Sequence, residues 1–94
     1  MHERKMLKEA IEEVEGAERY IKCAMKYRTE KPEWAKHYID MAGDELRHAE
    51  NLHHMAGKNE GRTELEHAFL EELHEWYAER MAKAKHMLEA YHKG

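Results

Sequence analysis

The sequence predicts an all-α protein built from three helices. Good helix formers dominate the composition: Ala, Glu, Lys, Leu, Met and Arg. Apolar residues recur at three-to-four spacing along three long stretches, the period of a helix with one buried face. Breakers are few, with one Pro and five Gly in 94 residues, and three of these six fall in two short segments, "TEKPE" and "GKNEGR". That length allows one small domain, residues 1–94, and chains this short often draw on a metal, a disulfide or a partner subunit to supplement a small core.

The first helix is expected over about residues 4–28, where Met6, Leu7, Ala10, Ile11, Val14, Ala17, Ile21, Ala24 and Met25 keep the helical period. Pro32 suits the first turn of the second helix, where its missing N–H costs nothing. That helix is expected over about 32–56, with Gly57 as its C-terminal cap. Thr63 followed by Glu66 reads as a capping box for a third helix over about 63–92. Leu65, Phe69, Leu73, Trp76, Tyr77, Ala84, Leu88 and Tyr91 are expected on the buried side of this last helix. Trp34, Trp76, Tyr77, Phe69 and Tyr91 are assigned to core or interface packing.

Several function classes recede at this point. The formal net charge is −4 with both signs mixed along the chain, unlike the basic patch that nucleic acid requires. No apolar run approaches the ~18 residues of a membrane span. The start, "MHERKMLKEA", lacks the apolar stretch of a signal peptide. The single cysteine, Cys23, permits no intrachain disulfide, which suits a reducing compartment and a cytoplasmic location. It falls opposite the apolar face of the first helix and receives no role.

The second helix holds the feature that asks for chemistry. Trp34, Tyr38, Met41, Ala42, Ala49, Leu52 and Ala56 share an apolar arc, with Glu45 expected near its centre and His48 on its flank. A carboxylate in such a place costs free energy unless paired or bound to a metal. Ala42, Gly43 and Ala49 leave room around it. Three other Glu-x-x-His pairs, Glu50/His53, Glu64/His67 and Glu71/His74, read as solvated surface, as do His54, His86 and His92. Whether Glu45 and His48 are ligands or surface decoration then depends on the first helix.

The short connection makes the first two helices an antiparallel hairpin. Glu45 and His48 lie ~22–27 Å along the axis from the turn at 1.5 Å per residue. Among Glu12, Glu13, Glu15 and Glu18, Glu13 reaches the same level at ~25 Å, while Glu18 stops near ~18 Å. Glu12 and Glu15 point to the polar side. Glu18 interrupts the Ile11/Val14/Ile21/Met25 stripe and is the second choice, its other reading being a salt bridge to Arg80.

With these residues placed, "EEVEGAERY" (12–20) and "DELRHAENL" (44–52) resemble the ferritin-like di-iron carboxylate proteins. The first helix there carries a Glu, a small residue three later and a Tyr seven later, here Glu13, Gly16 and Tyr20. The second carries Glu-x-x-His-Ala, here Glu45, His48 and Ala49. The resemblance covers about half the chain and points to the short members, the encapsulated ferritins and small rubrerythrin-like proteins. It implies a half-bundle whose hairpin dimerises into a four-helix core, since such sites draw on four helices. A homodimer or higher homo-oligomer would supply Glu13, Glu45 and His48 twice, around two iron ions, with Tyr20 beside them. Manganese and zinc are alternative metals for that donor set. The implied activity is oxidation of Fe(II) by O₂ or peroxide. Encapsulated ferritins carry a C-terminal docking peptide, whereas this chain ends "LEAYHKG", so a surrounding shell is left open. The cysteine-rich iron domain of full rubrerythrins is not expected. The competing readings are a helical oligomerisation or adaptor module, with Glu45 paired to Arg28 or Arg80, and a non-redox Zn or Mn binder.

Overall fold

The computed structural model describes residues 2–57 and 63–94. It consists of α1 (His2–Tyr27), α2 (Pro32–Ala56) and α3 (Glu64–Lys93), with no strand among the described residues. The expected boundaries hold to within two residues. No helix among the described residues is long and apolar enough to cross a membrane.

The helix ends follow from local chemistry. Pro32 opens α2, and the Ala35 amide donates to the Lys31 carbonyl at 3.1 Å. Gly57 ends α2 at φ 72°, a backbone angle that glycine adopts without a Cβ clash. Its N–H donates to the His54 carbonyl at 3.2 Å. The Thr63 hydroxyl accepts from the Glu66 N–H at 3.1 Å and so caps α3 as expected. Most of the "GKNEGR" break lies outside the described residues.

α1 and α2 form the antiparallel hairpin: Tyr27 meets Trp34, Tyr20 meets Tyr38, and Glu13 approaches His48. Alanine recurs every seventh residue on both helices, at 10, 17 and 24 and at 35, 42 and 49. All six are buried, which lets the two backbones come close. α3 runs parallel to α1 and closes the other side of it. Leu7, Ile11, Val14 and Ile21 of α1 join Leu46 of α2 and Leu70, Leu73, Tyr77, Met81 and Ala84 of α3 in one core.

Two expected faces are corrected. α3 buries Leu70, Leu73, Tyr77, Met81 and Ala84, while Leu65, Phe69 and Trp76 are 80%, 37% and 50% exposed. The apolar residues of α3 span a wider arc than one neighbouring helix can cover, and α1 covers the Leu70 side of it. On α2 the buried face is Ala35, Ala42, Leu46 and Ala49, with Trp34 and Met41 exposed. Glu45 therefore sits at the edge of the buried face, not at its centre.

Candidate metal centre

Glu13 on α1 and Glu45 and His48 on α2 come together. Each offers one ligand atom, and these atoms all lie within 4.8 Å of one another. The Glu13 Oε2 to His48 Nδ1 distance is 4.0 Å. The hairpin explains this meeting, because opposite positions on antiparallel helices share one axial level. Glu13 and Glu45 are half-buried and His48 is exposed.

The room beside Glu45 comes from α1. A Cβ built on Gly16 would stand 3.6 Å from Glu45 Oε2. Gly43, expected to provide that room, instead has Arg47 as its near neighbour. Glu9, Glu12, Glu13, Gly16, Arg19, Tyr20 and Glu45 line an open pocket of about 520 Å³. Four carboxylates against one guanidinium make it a cation-attracting hollow. Glu12, expected on the solvated side, belongs to its wall.

The donor set fits a divalent first-row metal. Around an ion held at ~2.1 Å, octahedral ligand atoms stand ~3 Å apart when adjacent and ~4.2 Å when opposite. The three ligand atoms, all within 4.8 Å of one another, stand close to that range. Two carboxylates and one imidazole suit iron, manganese or zinc. Three ligands leave half of an octahedral shell for water or for a second chain.

Glu18 does not join the cluster. It is buried on the α3 side, 3.8 Å from Arg80 Nε and 3.6 Å from Lys83 Nζ. Glu15 accepts from Arg80 Nη2 at 2.6 Å. The salt-bridge reading of Glu18 with Arg80 is thus the one the geometry follows. Arg28 also has another place: its guanidinium donates to the Tyr91 carbonyl and lies over the Tyr91 ring. Neither of the cations considered for Glu45 pairs with it.

A second polar cluster was read from sequence as solvated surface. His74 lies between Glu3 and His53, with Nε2 3.0 Å from Glu3 Oε2 and Nδ1 3.2 Å from His53 Nε2. Glu3 is buried, and the His53 ring stacks on Tyr77 at 4.2 Å. This chain of groups ties together all three helices. Burial, reinforced by His74 and His54, lowers the His53 pKa below 6.5. Burial and the nearby Glu50 raise that of Tyr77 above 10.0. Its sequence signal was faint, because the turn of α3 that brings His74 inward depends on α1.

The candidate centre faces away from α3, along two stripes of 3.5-residue period. On α2 the stripe is Trp34, Tyr38, Met41, Glu45, His48, Leu52 and Met55, and on α1 it is Glu9, Glu13, Gly16, Tyr20, Cys23 and Tyr27. Steps of four and three residues keep these positions on one face of each helix. Trp34, Met41 and Met55 on it are 48%, 38% and 65% exposed. That spacing was legible in the sequence. Compared with protein-family models, curated proteins and solved structures, the chain has no significant match to any.

Proposed function

We propose that this chain binds Fe(II) at Glu13, Glu45 and His48 and oxidises it, two copies sharing one centre. The observation that carries the reading is the meeting of those three ligand atoms within 4.8 Å at an acidic pocket on an open helical face. Three ligands are half a shell. A second copy across the exposed stripes supplies the other half, giving the ferritin-like four-helix core that the resemblance implies. The pair would then hold two metal ions with six protein ligands, Glu13, Glu45 and His48 from each copy.

In that arrangement Fe(II) is the substrate. Two ions give one electron each to O₂, which takes up two protons and leaves as hydrogen peroxide. With peroxide as the oxidant, the same two electrons and two protons give two waters. The carboxylates favour the products because anionic oxygen ligands stabilise the higher charge of Fe(III). His48 would bind through a ring nitrogen. The Glu9, Glu12 and Glu13 carboxylates draw cations toward the pocket.

The test is an anaerobic Fe(II) titration of metal-free protein of known oligomeric mass, followed by admission of air with absorbance monitored. The reading expects one iron per chain, rapid oxidation, and loss of both in Glu45→Ala. Absence of stoichiometric binding, or binding that survives Glu45→Ala, overturns it. Binding without oxidation in air marks the non-redox Zn or Mn site instead. For a helical module without metal, Glu45→Leu would leave assembly intact and raise stability, since a half-buried charge is replaced by an apolar group.

A further inference from the structure

We infer that Tyr20, Tyr38, Tyr27 and Trp34 form a file for electron transfer between the Glu13/Glu45 pocket and the surface beside the α1–α2 turn. Tyr20 lines the pocket. Its ring centroid is 6.1 Å from that of Tyr38. Tyr38 stacks on Tyr27 at 6.0 Å with the planes 10° apart. Tyr27 meets Trp34 edge-on at 5.3 Å, and Trp34 is 48% exposed. The file crosses between α1 and α2 at every step, so each helix contributes alternate members. Tunnelling falls exponentially with distance, and three short hops outrun one long jump. Tyr and Trp are among the few side chains that lose an electron at reachable potentials, and here they are consecutive from the pocket to the solvent.

The use of the file rests on the iron-oxidising reading above. Hydrogen peroxide that takes a single electron from Fe(II) splits into hydroxide and a hydroxyl radical. That radical takes the phenolic hydrogen atom of Tyr20 and becomes water. Tyr38 then gives an electron to the Tyr20 radical; Tyr20 regains a proton from the pocket, and Tyr38 releases its own to solvent. Tyr27 restores Tyr38, and Trp34 restores Tyr27, in the same way. At the surface a thiol gives an electron and a proton to the Trp34 radical, and two thiyl radicals couple to a disulfide. The net change is hydroxyl radical plus thiol to water plus half a disulfide. The oxidising equivalent leaves the pocket before it damages the ligands.

The outer end has features that bear on this path. Lys31 Nζ lies 3.7 Å over the Trp34 ring and Lys26 Nζ 5.4 Å over Tyr27. A cation there disfavours a positively charged radical, so Trp34 reacts as the neutral radical after losing its indole proton to water. From Glu45 back to Trp34 is eleven residues, ~16 Å, and from Glu13 to His2 is the same. The α1 and α2 helices of a second copy centred on the pocket therefore end near the level of Trp34 and leave it at the rim.

The decisive experiment uses metal-free protein, so that it stands or falls apart from iron binding. A ruthenium photo-oxidant is coupled to a cysteine introduced at Glu30 in a Cys23→Ser background, with fluorotyrosine at Tyr20 to mark its radical. After flash and quench, freeze-trapped electron paramagnetic resonance is expected to show the fluorotyrosyl radical. Tyr38→Phe and Tyr27→Phe keep the packing ring but cannot pass the charge, and each is expected to lose that signal at unchanged helicity. A signal that persists in both variants, or never forms in the parent, overturns the file. A companion measurement doses iron-loaded protein with peroxide and thiol and maps oxidised residues by mass spectrometry. Added damage at Tyr20 and Glu45 in Tyr38→Phe supports the protective use, and equal damage overturns it. If iron does not load, the iron-oxidising reading fails while the photochemical result still decides the file.

Discussion

Gly16 governs the approach of α2's carboxylate to α1. A single methyl there makes ordinary contact with Glu45 Oε2 at 3.6 Å. Alanine also restores helix propensity worth up to ~1 kcal/mol. Gly16→Ala should therefore raise the melting temperature and leave metal binding intact, while Gly16→Leu should displace Glu45 and abolish it. Calorimetry and metal titration of the two variants check this. His53 sets a second expectation. Its folded pKa is below 6.5, so the unfolded chain binds more protons as acid is added. The associated stability is complete above 6.5 and is lost as pH falls through the folded value. Urea unfolding across that window should show a decline that His53→Gln flattens. The residue types were all readable in the sequence. Their partners were not: Glu45 was placed mid-face and His74 in water, because each assignment depends on which neighbour covers which arc.

At the scale of the element, the caps and the hairpin were legible and the faces were less so. Pro32, Gly57 and Thr63 act through their own backbone or nearest neighbours, and such effects do not need a fold. Thr63→Ala removes one cap hydrogen bond and should cost about 1 kcal/mol, read as a lower denaturation midpoint at constant slope. The periodicity of α3 fixes that it has an apolar side. It does not fix which part of that side meets α1. Phe69 and Trp76 are left facing outward, so Trp76→Ala should destabilise the single chain far less than Leu70→Ala, a core truncation worth ~2–5 kcal/mol.

The whole molecule is a rod of 53 × 17 × 14 Å with a radius of gyration of 15.3 Å, against ~12 Å for a compact chain of this length. Three helices side by side leave the Met41–Met55 face of α2 exposed, and large exposed apolar surfaces mark association sites. In the proposed dimer, pairing two copies there would also bring four carboxylates together, from Glu13 and Glu45 of each. Their repulsion opposes assembly until a cation neutralises it, so metal binding and dimerisation should be linked. Sedimentation at several protein concentrations should show Mn(II) shifting the chain from 11.3 kDa toward twice that mass, and Glu45→Ala should remove the shift. Mn(II) stays unoxidised in air, which separates assembly from chemistry.

The sequence by itself determined three helices, their ends, the hairpin, and the common level of Glu13, Glu45 and His48. Those follow from propensity, capping and the fixed rise of a helix, all of which act over short distances along the chain. Only the tertiary structure decided that α3 lies along α1, that Glu18 turns to Arg80 and Lys83, and that His53, His74 and Glu3 meet. It also opened the Glu45 side of the hairpin to solvent and lined four aromatic rings from the pocket to the surface. These depend on the rotation of one helix about its axis relative to another. An apolar arc wider than its neighbour permits several such rotations, and the choice among them belongs to the packing of the whole.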